Sequence, residues 1–122
     1  MKLEHMEITE QIIEASFEVF QELGDGFLER VYQRAMQVEL VLRGLNVEIE
    51  RDIQVQYKKQ VVGNYQADIL VNSCVLVELK IAPMIDIRDE AQLLNVLKAM
   101  KIQVGILLNF GRHKVEFKRL VF

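Results

Sequence analysis

Apolar and polar positions along this chain keep first a helical period, then an alternating one, then the helical period again before two closing strands. Ile13, Phe17 and Phe20, with Ile12, Ser16, Val19 and Leu23 beside them, recur at helical spacing; Thr9 is placed to cap this first helix and Gly24 to stop it. Glu10, Glu14, Glu18 and Glu22 share the opposite face, a stripe expected to be solvated. After Gly24-Asp25-Gly26 a second helix is expected from about Phe27 to Arg43. Leu28, Val31, Tyr32, Ala35, Met36, Val38, Leu40 and Leu42 give it a broad apolar surface before Gly44.

From Val47 to Tyr57 the period drops to two, as in an outer antiparallel strand, with a bend or bulge expected at Arg51-Asp52. Lys58-Lys59-Gln60 makes a turn. Val61 to Tyr65 leads through Gln66 into a strand containing Asp68, and Asn72-Ser73 turns the chain into a strand containing Glu78. Ile81 to Asp86 holds the only proline, Pro83, and is read as a loop. A helix follows from about Ile87 to Met100, packing Ala91, Leu94, Val96, Leu97 and Met100. Val104 to Leu108 is a continuous apolar run, typical of a strand buried on both faces, and the intervening helix predicts that it runs parallel to the Glu78 strand. Asn109-Phe110-Gly111 is expected to turn into a last strand, Lys114 to Val121. The pattern specifies one α/β domain over residues 1–122, a central mixed sheet flanked by helices.

Charged residues inside the apolar strands are what change the picture. Asp68, Glu78 and Lys80 stand among Ile, Leu, Val, Cys and Ala, where a charge is costly unless paired or metal-bound. Glu78 and Lys80, two apart, project from one strand face about 6.6 Å from each other. Whether Asp68 joins them depends on parity. A two-residue loop at Asn72-Ser73 would pair Val71 with Cys74 and put Asp68 and Glu78 on opposite faces; a three-residue loop pairs Val71 with Val75 and Asp68 with Glu78. We expect the three-residue loop. The cluster is then either a structural ion pair or a site. As a site, two carboxylates suit a hard divalent cation such as Mg2+ or Mn2+, which acidifies a water and offsets charge on a phosphoryl group, with Lys80 beside it. That is the plan of a metal-dependent phosphodiesterase.

Composition excludes several alternatives. Cys74 is the only cysteine, so no internal disulfide or multi-cysteine metal site exists. The amino terminus lacks the apolar core of a signal peptide and no run of about 18 apolar residues occurs, so a cytoplasmic location is expected. Net charge is −3, but residues 1–50 hold four Lys/Arg against eleven Asp/Glu, and residues 51–122 eleven against seven. The second part carries a basic group, Arg112, Lys114, Lys118 and Arg119 around His113, able to meet phosphate or simply to solvate a hairpin. His5 and His113 have no partners at ligand spacing and read as surface residues.

Five segments in order match a known family. Gly26-Phe27-Leu28-Glu29-Arg30-Val31-Tyr32, Tyr65-Gln66-Ala67-Asp68-Ile69-Leu70, Val77-Glu78-Leu79-Lys80, Glu90-Ala91-Gln92-Leu93-Leu94-Asn95 and Gly105-Ile106-Leu107-Leu108-Asn109-Phe110-Gly111 make the chain resemble the GxxExxY proteins, a bacterial and archaeal group in the PD-(D/E)XK nuclease superfamily. The resemblance implies a restriction-endonuclease-like core. It also implies a nuclease that hydrolyses phosphodiester bonds through a metal-activated water, with Mg2+ or Mn2+ as cofactor and DNA, or else RNA, as partner. It makes Asp68, Glu78, the Leu79 carbonyl and Glu29 metal ligands, Lys80 the catalytic lysine and Gln92 a catalytic-site residue on the following helix. Tyr32, Arg112 and Lys114 are candidates for nucleic-acid contact. One departure stands out: Val96 stands where related members often carry Tyr; Ala67 also replaces the proline of the superfamily name, at a position the superfamily keeps loosely. Val96, the acidic net charge and the small size leave open a non-catalytic nucleic-acid- or protein-binding module retaining the fold, as a homodimer if the outer helix faces stay uncovered.

Overall fold

A computed structural model describes residues 5–122; the stretch 1–4, within the amino terminus read above, lies outside the described residues. The elements run α1 (Met6–Leu23), α2 (Glu29–Leu42), β1 (Val47–Tyr57), β2 (Gln60–Val71), β3 (Val75–Lys80), α3 (Ile87–Met100), β4 (Val104–Phe110) and β5 (Val115–Val121). The sheet order is β1-β2-β3-β4-β5, with β3 and β4 parallel and every other neighbouring pair antiparallel. A mixed sheet flanked by helices is therefore what the chain forms.

Helices cover both faces. Ile12, Val19, Met36 and Leu40 pack on Ile69, Val77, Ile106 and Leu108, while Leu93, Val96 and Leu97 pack on Leu70, Leu76 and Leu107. β4, with all seven residues buried, lies between the two layers. No helix among the described residues is long and apolar enough to cross a membrane.

The helices differ from expectation in phase. α1 begins at Met6, so Thr9 is no cap but a buried residue inside the first turn, its hydroxyl donating to the Met6 carbonyl at 2.9 Å. The buried stripe is Ile12, Ala15, Ser16 and Val19, which leaves Phe17 exposed against the edge of Phe117. Gly24 and Gly44 do end their helices, both at positive φ that side-chain-bearing residues avoid. In α3, Leu93 is buried and Ala91 exposed, because Gly105 opens a slot under the helix. A Cβ there would sit 3.1–3.2 Å from methyls of Leu97 and Leu93.

Strand ends also moved. Arg51-Asp52 stays in register, and the bulge lies at Val55/Gln56 opposite Val61 and Gly63. The first hairpin turns on Lys58-Lys59 alone, with Gln60 already paired to Tyr57. Asn109 and Phe110 extend β4 instead of turning, because both are anchored: Phe110 stacks on Tyr32 at 4.4 Å and Asn109 bonds both backbone groups of Ala82.

Candidate metal and active site

The hairpin between β2 and β3 decides whether there is a site at all. Val71 pairs with Val75, Leu70 with Leu76 and Ile69 with Val77. The loop is the three-residue Asn72-Ser73-Cys74, with Asn72 and Ser73 at positive φ. Continuing that register sets Asp68 across from Glu78, on the α3 side of the sheet.

At that point the ladder opens. Beyond Ile69 the two strands no longer pair, and the freed backbone groups need other partners. The Asp68 carboxylate accepts the Leu79 N–H at 2.8 Å, and the Asp68 carbonyl accepts from Gln33 Nε2 at 2.9 Å. Gln33, buried in the middle of α2, thus pins the strand from behind. Sequence reading missed it, since a single Gln in a helix carries no signal of what it faces.

The opened ladder leaves two carboxyls side by side with little water. Burial first, then the Asp68 charge, pushes the Glu78 carboxyl up to about 8, with the Asp68 N–H and Lys80 pulling back. Asp68 is raised as well, chiefly by burial, against the Leu79 N–H, Glu78 and Lys80, which lower it. Glu29 opens α2 and is raised by burial and then by the Asp68 charge, with Lys80 pulling back, so it lies within electrostatic reach of Asp68 and Lys80. Lys80 follows Glu78 on the same strand face and approaches Asp89 of α3 at 3.7 Å. Tyr65, Gln66, Glu78, Lys80, Asp89 and Gln92 line one cleft, which places Gln92 in the same cleft as Glu78 and Lys80. Asp89 was missed, although its place three residues before Gln92 puts both on one helix face.

The donor set fits a hard divalent cation. Among the described residues no three His, Cys, Asp or Glu side chains form a ready-made metal cage. Mg2+ does not require one: it takes one or two carboxylates and keeps several waters. Two neighbouring carboxyls whose ionisation burial opposes would gain from a shared cation.

Other expected contacts fall elsewhere. Tyr32 is fully buried, so it is not a nucleic-acid contact. Its ring stacks on Phe110, its hydroxyl donates to the Gly24 carbonyl at 2.6 Å, and the Phe27 N–H approaches the same hydroxyl at 3.4 Å. Arg112 and Lys114 are exposed in the β4–β5 turn. Because Lys80 pairs with Asn109, that turn lies at the Lys80 end of the sheet. Arg112 borders a second groove, with Phe27, Leu28, Ile81 and Pro83, rather than the Glu78 cleft. Lys118 is engaged by Glu90 at 3.0 Å.

A mixed sheet between helical layers, its opened hairpin ladder carrying Asp on one strand and Glu-x-Lys on the next, defines the restriction-endonuclease-like α/β fold. A family model described as the PD-(D/E)XK nuclease superfamily matches residues 6–120. The chain belongs to that superfamily. Membership suggests nuclease activity on nucleic acid, and nucleases of this kind generally use divalent metals. The crystal structure of SSO0001 is similar, with a TM-score of 0.55 at 16% identity over 93% of this chain and 77% of that one, a likeness of fold. No curated protein matches the sequence.

Proposed function

We propose that this protein is a Mg2+- or Mn2+-dependent nuclease of the GxxExxY type, hydrolysing phosphodiester bonds in DNA. The observation that carries the reading is the register of β2 on β3, which sets Asp68 across from Glu78 where the ladder opens, with Lys80 next on the same face. Asp68, Glu78 and the Leu79 carbonyl would hold the cation, with Glu29 approaching from α2. When bound, the cation supplies Lewis acidity to a water and offsets charge on the phosphoryl group. Lys80 orients the attacking water or donates to a phosphoryl oxygen, and its partner Asp89 limits where the ammonium can point. Gln92, exposed on α3 at the cleft, contacts substrate.

The GxxExxY pattern acquires a physical meaning in this reading. Gly26 adopts positive φ in the α1–α2 linker, and the Tyr32 hydroxyl clasps that linker at Gly24. Between them Glu29 begins α2 and is held toward the carboxylates.

Calorimetric titration of Mn2+ into wild type and Glu78→Ala, beside plasmid and single-strand cleavage with Lys80→Ala, tests the proposal. Binding lost with Glu78 and cleavage lost with Lys80 is the expected result; absence of Mn2+ binding by wild type would leave only a structural carboxyl cluster. The second reading, a non-catalytic binding module, draws on Val96, which is buried in the core and offers no polar group to a substrate. Metal binding without cleavage of any strand would select it. Its homodimeric form would use exposed Leu28, just before α2, with Val38 and Leu42 of that helix, and sedimentation showing a strict monomer would remove that form.

A further inference from the structure

β1 and β2 extend well past the rest of the sheet. β2 pairs with β3 only from Ile69 to Val71, so residues 52–66 pair only with each other across the hairpin. Twist carries Ile53 and Ala67 onto α3 with Leu93, Val96 and Leu97. Beyond that footing no residue from Gln54 to Gln66 is buried. A two-stranded ribbon without a packed face is marginal in water, so the chemistry of this one is informative.

Three features point the same way. From Ile53 to Ala67 there is no Asp or Glu, although the chain as a whole carries −3; Lys58 and Lys59 stand at the tip, and five amide side chains line the flanks. The two lysines occupy both left-handed positions of the turn, at φ 48° and 66°, where Asn-Gly is the favoured pair. Turn propensity therefore does not account for them. Finally, Tyr65 and Gln66 belong to the wall of the Glu78–Lys80 cleft, and Tyr65 remains 36% exposed there. From Gln66 to Lys59 the strand spans about 23 Å, the length of roughly seven nucleotide steps along a duplex strand.

We propose that the Ile53–Ala67 hairpin is the substrate arm of the cleft and takes a single-stranded nucleic-acid segment. Tyr65 stacks on an unpaired base beside Glu78 and Lys80, and Lys58 and Lys59 neutralise phosphates farther along the strand. The stack requires a base that is not already paired and stacked in a duplex. A protein partner, which would meet exposed Tyr57, Val61 and Val62 on this hairpin, is disfavoured by the positive charge at the tip with no Asp or Glu from Ile53 to Ala67 to balance it. The inference rests on the nuclease reading of the cleft.

Fluorescence anisotropy of a labelled single-stranded oligonucleotide, in chelator, with the full chain tests the arm. Wild type and Glu78→Ala should bind and discriminate against the matching duplex. Tyr65→Ala should weaken binding roughly 5- to 150-fold, the range for one lost base stack, with most of the affinity restored in Tyr65→Phe. Lys58→Gln/Lys59→Gln should flatten the dependence of log K on log salt by about 1.4, as two lost single-strand phosphate contacts require. Tyr65, Lys58 and Lys59 are exposed, so circular-dichroism melts of their variants should superimpose on wild type; if a Tyr65 variant unfolds, the lysine pair at the tip still decides. Wild-type affinity and salt slope in these variants, or equal binding of duplex, would overturn the arm. A parallel cleavage assay separates the two readings: arm-dependent binding without cleavage keeps the arm and sinks the nuclease. Cleavage indifferent to the arm does the reverse, and wild type that neither binds nor cleaves removes both.

Discussion

Replacing Glu78 by Gln should remove most of the pH dependence of folding in the metal-free protein. Burial and the neighbouring Asp68 charge raise the Glu78 carboxyl from 4.5 to about 8. Between those values the folded state holds the proton and the unfolded state does not, so stability falls as pH rises from about 4.5 toward 8. At about 1.36 kcal/mol per pH unit, that interval corresponds to about 5 kcal/mol, as much as the whole stability of a marginal domain at ~5–15 kcal/mol. Asp68 and Glu29, raised by burial too, act in the same direction. Gln keeps the shape and cannot ionise. In urea denaturation with a chelator at pH 5, 6.5 and 8, wild type should lose at least about 2 kcal/mol across the series, and Glu78→Gln less than half of that, overtaking wild type at pH 8. Parallel pH profiles for the two proteins would refute the reasoning, because they would mean the Glu78 carboxyl ionises as freely folded as unfolded. If Asp68 and Glu78 hold the cation as proposed, Mn2+ at 100 times its Kd should restore about 2.7 kcal/mol to wild type at pH 8, and little to the Gln variant.

Gln33→Leu strips the Asp68 carbonyl of its 2.9 Å donor in a buried place, and should cost about 1–3 kcal/mol and speed hydrogen exchange near Asp68; unchanged exchange there would mean the opened ladder is satisfied some other way. Tyr32→Phe removes the hydroxyl that donates to Gly24 at 2.6 Å but keeps the stack on Phe110. It should cost about 1 kcal/mol by denaturation and leave oligonucleotide affinity within error, whereas a large loss of affinity would reinstate Tyr32 as a contact. Gly105→Ala sets a methyl 3.1–3.2 Å from Leu93 and Leu97, and should destabilise by about 1–3 kcal/mol; a neutral result would show that α3 can ride upward without loss.

The elements and the candidate site were legible to different degrees, for reasons visible in particular residues. β1 and α3 have the boundaries their patterns predict, since alternation and helical period are local properties of the chain. The register that faces Asp68 toward Glu78 was legible too, because parity requires an odd loop or a bulge to bring both carboxyls to the same face, and three residues is the shortest such loop. Thr9 misled because a good capping residue also serves inside a helix when its hydroxyl can return to a carbonyl one turn back. Asn109-Phe110-Gly111 looked like a turn; what keeps Asn109 in the strand is a pair of bonds to Ala82, 27 positions away.

Sequence alone therefore determined the number, type and order of the elements, the mixed α/β class, and the identities of Asp68, Glu78 and Lys80 as candidates, because periodicity and misplaced charge are written in neighbouring residues; Gln92 became a candidate only through the family resemblance. Only the tertiary structure decided which helix face is buried, that Tyr32 is a clasp and not a contact, that Gln33 and Asp89 flank the carboxyls, and that the ladder opens at Asp68. Those outcomes depend on partners tens of residues apart, whose meeting is set by strand twist and by the space each packed layer leaves, as where Gly105 admits Leu93 and Leu97.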